Sequence, residues 1–236
     1  MDQTFDRMFY HDCQSLAGID EVGVTALAGP IVAACVVLPR LTPKDDLSLF
    51  LVDDSKKIRE KYRFECARTV QQHALAYGIG IVPPLEVDAL NVYLASNLAM
   101  KRAVADCLQR FGKRSLDMCL IDGNRKIDLP FPHKLIVKGD MKSLSIAAAS
   151  VLAKVHRDTL MKEYHKIRPE YNFIKNKGYK CDDHFNGLDK RGIWVGIHRT
   201  SLYPLSRKGS EDSSLTDRRY KWIAITEKEL QGDILC

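Results

Sequence analysis

Short apolar runs bounded by glycine or proline alternate along the chain with longer stretches in which apolar residues recur on successive helical turns. The runs are rich in β-forming residues and predict five strands, at residues 16–21, 31–38, 75–82, 118–121 and 134–137. The longer stretches predict three helices, over residues 57–72, 95–111 and 143–167. Strands that first cluster and then alternate with helices predict an α/β fold, a mixed five-stranded sheet flanked by helices.

The last third of the chain has a different pattern. From residue 168 onward it becomes polar, with Lys, Asn, Gly, Asp and His mixed, and we expect a helical or irregular extension there. Residues 204–216 are rich in serine and charge, which is typical of a linker. We therefore predict one domain over residues 1–205, with a substrate-binding segment at about 168–205, followed by a linker and tail at 206–236.

Composition limits the class of protein. The 236 residues are 45% hydrophobic and 28% charged, which suits one sizeable core and excludes disordered, collagen-like and membrane-bundle proteins. Seven scattered cysteines form no Cys-x-x-Cys pair, so we expect reduced thiols rather than a zinc site or a disulfide framework. The chain shows no signal peptide, and no run reaches the roughly 20 apolar residues that cross a bilayer. We expect a cytoplasmic protein that does not bind membranes.

The charge is unevenly distributed along the chain. Lys and Arg number 36 against 30 Asp and Glu, which gives a net charge of +6. Counted by segment, residues 1–133 carry −1, residues 134–208 carry +9 and residues 209–236 carry −2. A basic excess confined to one third of the chain favours a polyanionic partner.

Carboxylates stand at the ends of three predicted strands. Asp20 and Glu21 close the first strand, Asp122 directly follows the fourth, and Asp140 follows the fifth after a short turn. Two adjacent acids in a strand point to opposite faces of the sheet, and burying either one without a partner is costly. We expect these carboxylates to converge at one edge of the sheet.

Converging carboxylates repel one another unless a cation holds them. Oxygen ligands without His or Cys select Mg²⁺ or Mn²⁺, and such a site performs phosphoryl-transfer chemistry. Taken singly, each acid is also compatible with a salt bridge or a strand-terminating turn. As a set, they predict a metal centre and catalytic site made of Asp20, Glu21, Asp122 and Asp140.

Several short motifs follow one another in order over about residues 15–205. They are Gly18-Ile19-Asp20-Glu21-Val22-Gly23 with Leu27-Ala28-Gly29-Pro30, Asp54-Ser55-Lys56-Lys57, Ile121-Asp122-Gly123, Val137-Lys138-Gly139-Asp140, Ser145-Ile146-Ala147-Ala148-Ala149-Ser150, Ala153-Lys154-Val155 with Arg157-Asp158, Asn176-Lys177-Gly178-Tyr179 with His184, and His198-Arg199-Thr200-Ser201. Any one block is a weak signal, whereas the combination is highly specific. Together the motifs resemble the ribonuclease HII family.

The resemblance implies a ribonuclease H-like fold and an endoribonuclease that hydrolyses the RNA strand of RNA/DNA hybrids with Mg²⁺ or Mn²⁺. It extends to ribonucleotides embedded in duplex DNA, and so to ribonucleotide excision during DNA replication and repair, with 3′-hydroxyl and 5′-phosphate ends as products. The family's four metal-binding acids fall on the four carboxylates above, and a tyrosine that packs at the RNA to DNA junction falls on Tyr179. An aromatic ring against a sugar can sense its identity and pucker. We expect the protein to act as a monomer.

One matched motif departs from the family pattern. After Asp-Glu-x-Gly the family continues with Arg-Gly, and the resemblance implies that this segment contacts the 2′-hydroxyl and neighbouring phosphates. Here the segment reads Gly23-Val24-Thr25. Val24 removes a cation, and Thr25 puts a β-branched residue where glycine allowed close backbone approach or a positive φ. The metal site should survive, while recognition of a single embedded ribonucleotide should be weakened or altered.

Five further residues are candidates for substrate contact. Lys56 and Ser150 stand in matched motifs, and Lys154, His184 and Arg199 lie in or near the basic third, where cations could track phosphates. The plainer interpretation of each is structural: a helix-cap hydroxyl, an exposed cation, or a histidine that orders a loop or shuttles a proton.

Two other functions stay open on the sequence alone. The chain could be a family member that holds hybrid duplexes and cleaves them little, although a pure binder has no reason to keep four mutually repelling carboxylates. It could also be another nuclease of the same superfold, such as a junction resolvase, which the fold by itself does not distinguish.

Overall fold

A computed structural model of the chain describes residues 3–11, 13–40, 60–112 and 115–202. All five predicted strands are present, each end within one residue of its predicted limit: β1 (Leu16–Val22), β2 (Ile31–Val37), β3 (Ala76–Val82), β4 (Met118–Asp122) and β5 (His133–Ile136). The described α-helices are α1 (Thr4–Arg7), α2 (Glu60–His73), α3 (Pro84–Leu90), α4 (Val92–Phe111), α5 (Leu144–Ile167), α6 (Phe173–Asn176) and α7 (Asp182–Arg191). Residues 57–59, where the first predicted helix was expected to begin, lie outside the described residues.

The five strands form one mixed sheet in the order β3-β2-β1-β4-β5. β1 pairs with β2 in antiparallel and with β4 in parallel orientation, and β4 pairs with β5 in parallel. The central strand β1 is therefore flanked on both sides, and the C-terminal ends of β1, β4 and β5 lie at the same edge of the sheet. The fold class predicted from the sequence, a mixed five-stranded sheet with flanking helices, is confirmed.

The helix α5 packs closely against β1 because Gly18 has no side chain. A Cβ atom placed on Gly18 would lie 2.0 Å from the carbonyl carbon of Ser145 in α5, so any other residue would push the helix away. The first turn of α5 is further tied to α1, since Asp6 accepts hydrogen bonds from the backbone N–H and the hydroxyl of Ser145 at 3.0 and 2.7 Å. These contacts fix the depth at which α5 presents its side chains to the sheet.

The helix α4 begins three residues before its predicted start, and α3 was not predicted. The side chain of Asn91 explains the early start, because its Oδ1 accepts from the backbone N–H groups of Tyr93 and Leu94 and so caps the first turn. The dipeptide Pro83-Pro84 ends β3 as expected, but Pro84 also occupies the first turn of α3, where proline is tolerated.

The extension after residue 168 contains more helix than its polar sequence suggests. A 3-10 turn at Pro169–Tyr171, α6 and α7 are folded over an apolar cluster that the pattern of charges conceals. The buried members of this cluster are Leu27, Ala28, Met161, Tyr171, Phe173, Leu188, Ile193 and Trp194.

The chain divides into two compact units. The sheet unit comprises Met1–Val22, Val32–Ile81 and Ser96–Val155, and the extension unit comprises Gly23–Ile31, Val82–Ala95 and His156–Cys236. The linker and tail predicted at 206–236 lie outside the described residues, as does the whole serine-rich and charged stretch at 204–216.

Two sequence predictions concern the whole chain. In the part that the structure describes, no helix is long and apolar enough to cross a membrane. The six described cysteines are free thiols, and all are buried except Cys181, which is partly exposed.

Candidate active site

Asp20 and Asp122 stand side by side on neighbouring strands of the sheet unit. The parallel register of β1 and β4 pairs Ile19 with Ile121, the residues that directly precede the two acids. Neighbouring strands lie about 4.8 Å apart, and residues at equivalent register positions face the same side of the sheet. The sequence prediction that strand ends would bring these carboxylates together is confirmed for this pair.

Asp20 is almost completely buried, on the face of the sheet that α5 covers. Its Oδ1 accepts the backbone N–H of Glu21 at 2.8 Å, and its carboxylate also accepts a hydrogen bond from the side chain of Ser150 in α5. Burial is the main cause that raises the pKa of Asp20 well above its usual range, and the charges of Glu21 and Asp122 raise it further. Asp20 is thus a buried carboxyl group whose charged form is disfavoured both by burial and by its acidic neighbours.

The side chain of Glu21 lies on the opposite face of the sheet. Its Oε1 accepts the hydroxyl of Ser96, which α4 contributes, at 3.2 Å. Burial raises the pKa of Glu21, and the charge of Asp122 adds to this, while the Ser96 hydrogen bond and Arg125 act in the opposite direction. The side chains of Asp20 and Glu21 therefore point to opposite faces of the sheet, as the strand period of two requires. The charge of Asp122 nevertheless raises the pKa of both.

Asp140 lies in a 3-10 turn at Gly139–Met141, just beyond the end of β5, and is buried. The turn begins after Lys138, whose φ of 55° is left-handed. The backbone N–H of Gly139 donates to Oδ1 of Asp122 at 2.7 Å, which links the Asp140 turn directly to the end of β4. The fourth predicted acid is thereby placed at the same sheet edge, in a tight turn after the strand.

The chemistry of these donors fits a hard divalent cation. All four side chains are carboxylates, and at least Asp20 and Glu21 carry repulsion that a cation would relieve. Within the described residues, no three Asp, Glu, His or Cys side chains are gathered at the spacing of a complete metal site. The case for a cation at this edge therefore rests on the chemistry of the donors and on the placement of Asp20 beside Asp122.

The segment that follows β1 belongs to the extension unit and carries the altered motif. Gly23 has a φ of +88°, and a Cβ atom there would lie 2.2 Å from Nε of Arg157, so glycine is required. Val24 is partly exposed and Thr25 is exposed. Neither Val24 nor Thr25 has a positive φ, so the backbone accepts both residues without strain of that kind. Compared with the Arg-Gly of the family pattern, Val24 and Thr25 therefore differ in the side chains that the segment carries.

Two completely buried arginines hold this segment in place. Arg157 donates to the carbonyls of Pro30, Ala28 and Lys177 at 2.8 to 3.0 Å. Arg199 donates twice to the carbonyl of Gly29, at 3.0 and 2.8 Å, and once to the carbonyl of Val24 at 2.9 Å. The guanidinium of Arg199, predicted as a substrate contact, therefore lies in the interior because its donors satisfy buried backbone carbonyls.

Tyr179 ends a tight turn that packs on the segment after β1. Its ring lies over the guanidinium of Arg157, with 5.2 Å from the arginine carbon to the ring centroid. The turn passes through Lys177 and Gly178, both with left-handed φ. The buried guanidinium of Arg157 thus lies next to both the half-buried ring of Tyr179 and the backbone of Gly23.

The remaining predicted contacts fall in different places. Ser150 holds Asp20, Lys154 is half-buried one turn further along α5, and His184 is completely buried in the extension unit. Lys56 lies outside the described residues. Burial removes His184 from any role that needs direct access to substrate.

Sequence reasoning overlooked Ser96 and underrated Arg157. Ser96 has no local signal, since a serine near the start of a helix is common, and its importance depends on the fold that brings α4 to Glu21. Arg157 was part of a recognisable block, but its complete burial and its three carbonyl partners could not be read from the sequence.

Comparison with known proteins gives consistent relatives. The family model of ribonuclease HII matches residues 17–202. Ribonuclease HII of Caldanaerobacter subterraneus subsp. tengcongensis is 41% identical over 203 residues, which cover 86% of this chain and 80% of that protein. Ribonuclease HII of Enterococcus faecalis is 42% identical over 190 residues, covering 80% of this chain and 70% of that protein.

Solved structures share the fold at lower identity. Ribonuclease H2 from Pyrococcus horikoshii OT3 superposes with a TM-score of 0.62 at 18% identity, covering 82% of this chain and 96% of that one. The structure of the PCNA:RNase HII complex from Archaeoglobus fulgidus has a TM-score of 0.58 at 23% identity, covering 78% of this chain and 93% of that one. Bst-RNase HIII in complex with Mn²⁺ has a TM-score of 0.64 at 16% identity, covering 82% of this chain and 68% of that one. These similarities support the ribonuclease H-like fold.

Proposed function

The chain belongs to the ribonuclease HII family and is a metal-dependent endoribonuclease, and on that premise we propose that Asp20, Glu21, Asp122 and Asp140 form its metal-binding and catalytic site. The observation that carries the proposal is geometric: paired strands place the buried Asp20 beside Asp122, and the turn that holds the buried Asp140 is hydrogen-bonded to Asp122. Buried like charges destabilise a fold unless a bound cation compensates them.

The preferred cation is Mg²⁺ or Mn²⁺, because every donor is a hard carboxylate oxygen. When bound, such an ion activates water as a nucleophile and stabilises the negative charge that develops on the departing oxygen. The protein's own contribution is orientation. Ser150 fixes Asp20, Ser96 fixes Glu21, and the N–H of Gly139 fixes Asp122.

The proposed substrates are RNA/DNA hybrids and DNA duplexes that contain ribonucleotides, with 3′-hydroxyl and 5′-phosphate products. Tyr179 is the proposed sensor of the sugar at the RNA to DNA junction, supported by its half-buried ring over Arg157. Lys154 and exposed lysines of the basic third, such as Lys175, Lys180 and Lys190, supply phosphate contacts. We propose that Arg199 and His184 act by positioning backbone, because both are buried.

Recognition of a single embedded ribonucleotide is proposed to be weakened by Val24 and Thr25. Arg199 holds the carbonyl of Val24, so the segment is well ordered and exposes an apolar and a hydroxyl side chain in place of a guanidinium and a bare backbone. The loss is therefore one of chemistry rather than of backbone order.

Cleavage mapping of the full chain tests this function. We expect cleavage of a long RNA/DNA hybrid with Mg²⁺ and with Mn²⁺, and less efficient cleavage of a duplex with one ribonucleotide. The double variant Val24→Arg, Thr25→Gly should improve the single-ribonucleotide reaction selectively, and Thr25→Ser serves as the matched control. Equal efficiency of the natural protein on both substrates would contradict the altered specificity. Binding without cleavage would contradict the nuclease assignment, and cleavage of ribonucleotide-free DNA junctions would indicate a resolvase.

A further inference from the structure

Two histidines form a hydrogen-bonded pair in the interior of the extension unit. The Nε2 atoms of His184 and His198 lie 3.0 Å apart, and the two side chains are 0% and 1% exposed. Aromatic rings enclose the pair: Tyr171 lies 4.8 Å from the ring of His198, and Phe173 lies 5.3 Å from the ring of His184. Because neither imidazole reaches the surface, neither can pass a proton to a bound nucleic acid.

The hydrogen-bond partners assign the protons on both rings. Nδ1 of His198 lies 2.9 Å from the backbone N–H of Trp194 and 3.3 Å from the carbonyl oxygen of Trp194. We assign the shorter contact as the hydrogen bond, so that Nδ1 accepts and the neutral ring is protonated at Nε2. This N–H donates to Nε2 of His184, which is therefore protonated at Nδ1. Nδ1 of His184 in turn donates to the carbonyl of Tyr179 at 2.9 Å. Each of the four ring nitrogens thus has one role in a directed chain, the histidine relay, from Trp194 to Tyr179.

The Tyr179 end of the relay completes a pattern of three anchored carbonyls. The carbonyl of Lys177 accepts from Arg157 at 2.8 Å, and that of Gly178 accepts from two backbone N–H groups of the segment after β1, at 2.8 and 3.2 Å. The carbonyl of Tyr179 accepts from His184. Every residue of the turn that leads to the ring is therefore held from outside the turn, and His184 holds the tyrosine itself.

We infer that the histidine relay is a positioning device that sets the backbone of Tyr179 and hence the pose of its ring against a substrate sugar. The inference rests on the proposed role of Tyr179 as a sugar sensor. His184 and His198 are positioning residues, since they act through Tyr179. A ring half-buried over a cation needs a fixed backbone to present one face reproducibly.

Two variants of His184 divide the relay at different points. In His184→Asn the amide nitrogen takes the place of Nδ1, which keeps the hydrogen bond to the Tyr179 carbonyl and loses the link to His198. In His184→Gln the amide lies near the position of Nε2, which keeps the link to His198 and loses the bond to Tyr179. Both variants are neutral and close in volume to histidine, so they are matched controls for each other.

The kinetic experiment measures kcat and KM on a duplex with one ribonucleotide, together with Tm, for the full chain. We expect His184→Gln to raise KM about tenfold, as the loss of one buried hydrogen bond predicts, with a smaller effect on kcat. His184→Asn should restore most of the natural KM. In a Tyr179→Ala background the difference between the two variants should disappear, because coupled residues are not additive. Identical KM values for both variants, or an additive effect in the Tyr179→Ala background, would overturn the inference.

A second measurement does not depend on activity or on either variant folding. Imidazole ¹⁵N NMR of the natural protein should show His184 protonated at Nδ1 and His198 at Nε2, both neutral at pH 7. The opposite tautomers would overturn the relay. If the protein shows these tautomers and does not cleave hybrids, the proposed function fails while the relay stands. If it cleaves hybrids and lacks these tautomers, the relay alone fails.

Discussion

Three carboxylates at the sheet edge accept hydrogen bonds from donors that belong to three different elements. Ser150 of α5 holds Asp20, Ser96 of α4 holds Glu21, and the N–H of Gly139 holds Asp122. Neutral donors restrain a carboxylate without neutralising it, so its negative charge can still bind a cation. At the scale of the residue, the site is built to keep charge and to limit motion.

Replacing Asp140 by asparagine should abolish cleavage and leave hybrid binding intact. The change removes one anionic ligand without changing shape, and charge stabilisation by a metal of several kcal/mol corresponds to a rate loss of about 10³-fold. Cleavage rates and duplex affinity by fluorescence anisotropy measure the two effects separately. Asp128→Asn is the matched control, since Asp128 is exposed and forms a surface ion pair with Lys101 at 3.0 Å. Retained turnover in Asp140→Asn would refute the assignment.

Gly23→Ala should destabilise the fold more than an alanine at another left-handed glycine. The new methyl group would meet Nε of Arg157 at 2.2 Å and the carbonyl of Pro30 at 2.8 Å, in addition to the cost of a φ of +88°. We expect a loss of about 3 kcal/mol or more, which lowers Tm by about 10 °C. Gly112 has a φ of +75° and no atom within 4 Å of a Cβ, so Gly112→Ala reports backbone strain alone. Equal Tm losses would show that Arg157 yields freely.

The residues of the site differ in how far the sequence could reveal them. Asp20, Glu21 and Asp122 were predictable because strands of short apolar residues end at them, and the strand period fixes their faces. His184 was misjudged as a substrate contact because a histidine in a polar segment looks exposed, whereas the aromatic residues that bury it are scattered between positions 171 and 194. Burial depends on contacts far apart in sequence, and a local pattern does not contain them.

At the scale of elements, the spacing between α5 and β1 determines the site. Gly18 brings α5 close to the strand, and the same helix carries Ser150 to Asp20. The predictions for α5 and the five strands succeeded because their apolar periods are strong. The start of α4 was missed because the cap is a single side chain, Asn91, whose hydrogen bonds are invisible in the hydrophobic pattern.

Gly18→Ala should therefore impair both stability and catalysis. Its Cβ would lie within 2.0 to 2.3 Å of backbone atoms of Ser145 and Ile146, which cannot move without shifting α5. We expect a destabilisation of about 2–3 kcal/mol, as for overpacked cores, and a lower kcat because Ser150 leaves Asp20. Urea unfolding and single-turnover rates at saturating metal measure the two losses. Gly192→Ala is the control for kcat: no atom lies within 4 Å of a Cβ there, although its φ of +73° adds a backbone strain that Gly18→Ala lacks. A stable variant with normal kcat would show that α5 can move without affecting the site.

At the scale of the whole molecule, net charge says little about the stability of the fold. The buried base His198, by contrast, makes that stability depend on pH. Burial, followed by the charge of His184, lowers the pKa of His198 from 6.5 to about 3. Below pH 6.5 the unfolded chain binds a proton that the folded chain excludes, so the stability that this group contributes is complete above pH 6.5 and is lost as the pH falls toward 3. The aromatic neighbours Tyr171 and Phe173 cannot compensate a charge on this ring as a carboxylate would.

Between pH 8 and pH 5 this group should cost the fold about 2 kcal/mol. The measurement is urea unfolding at pH 8, 7, 6 and 5 for the natural chain and for His198→Asn, which keeps an acceptor near Nδ1 and cannot titrate. Asp20 and Glu21, whose raised pKa values act in the opposite direction, are common to both proteins and cancel in the comparison. Parallel pH profiles for the two proteins would contradict the buried neutral state of His198.

The distribution of thiols gives the molecule a native site for a spectroscopic label. Of the six described cysteines, only Cys181 is partly exposed, and it lies two residues after Tyr179. With Cys236, which lies outside the described residues, replaced by serine, a maleimide dye should attach at Cys181 in preference to the five buried thiols. A fluorophore at that position would follow the arrival and departure of duplex in real time, without any cysteine having to be introduced.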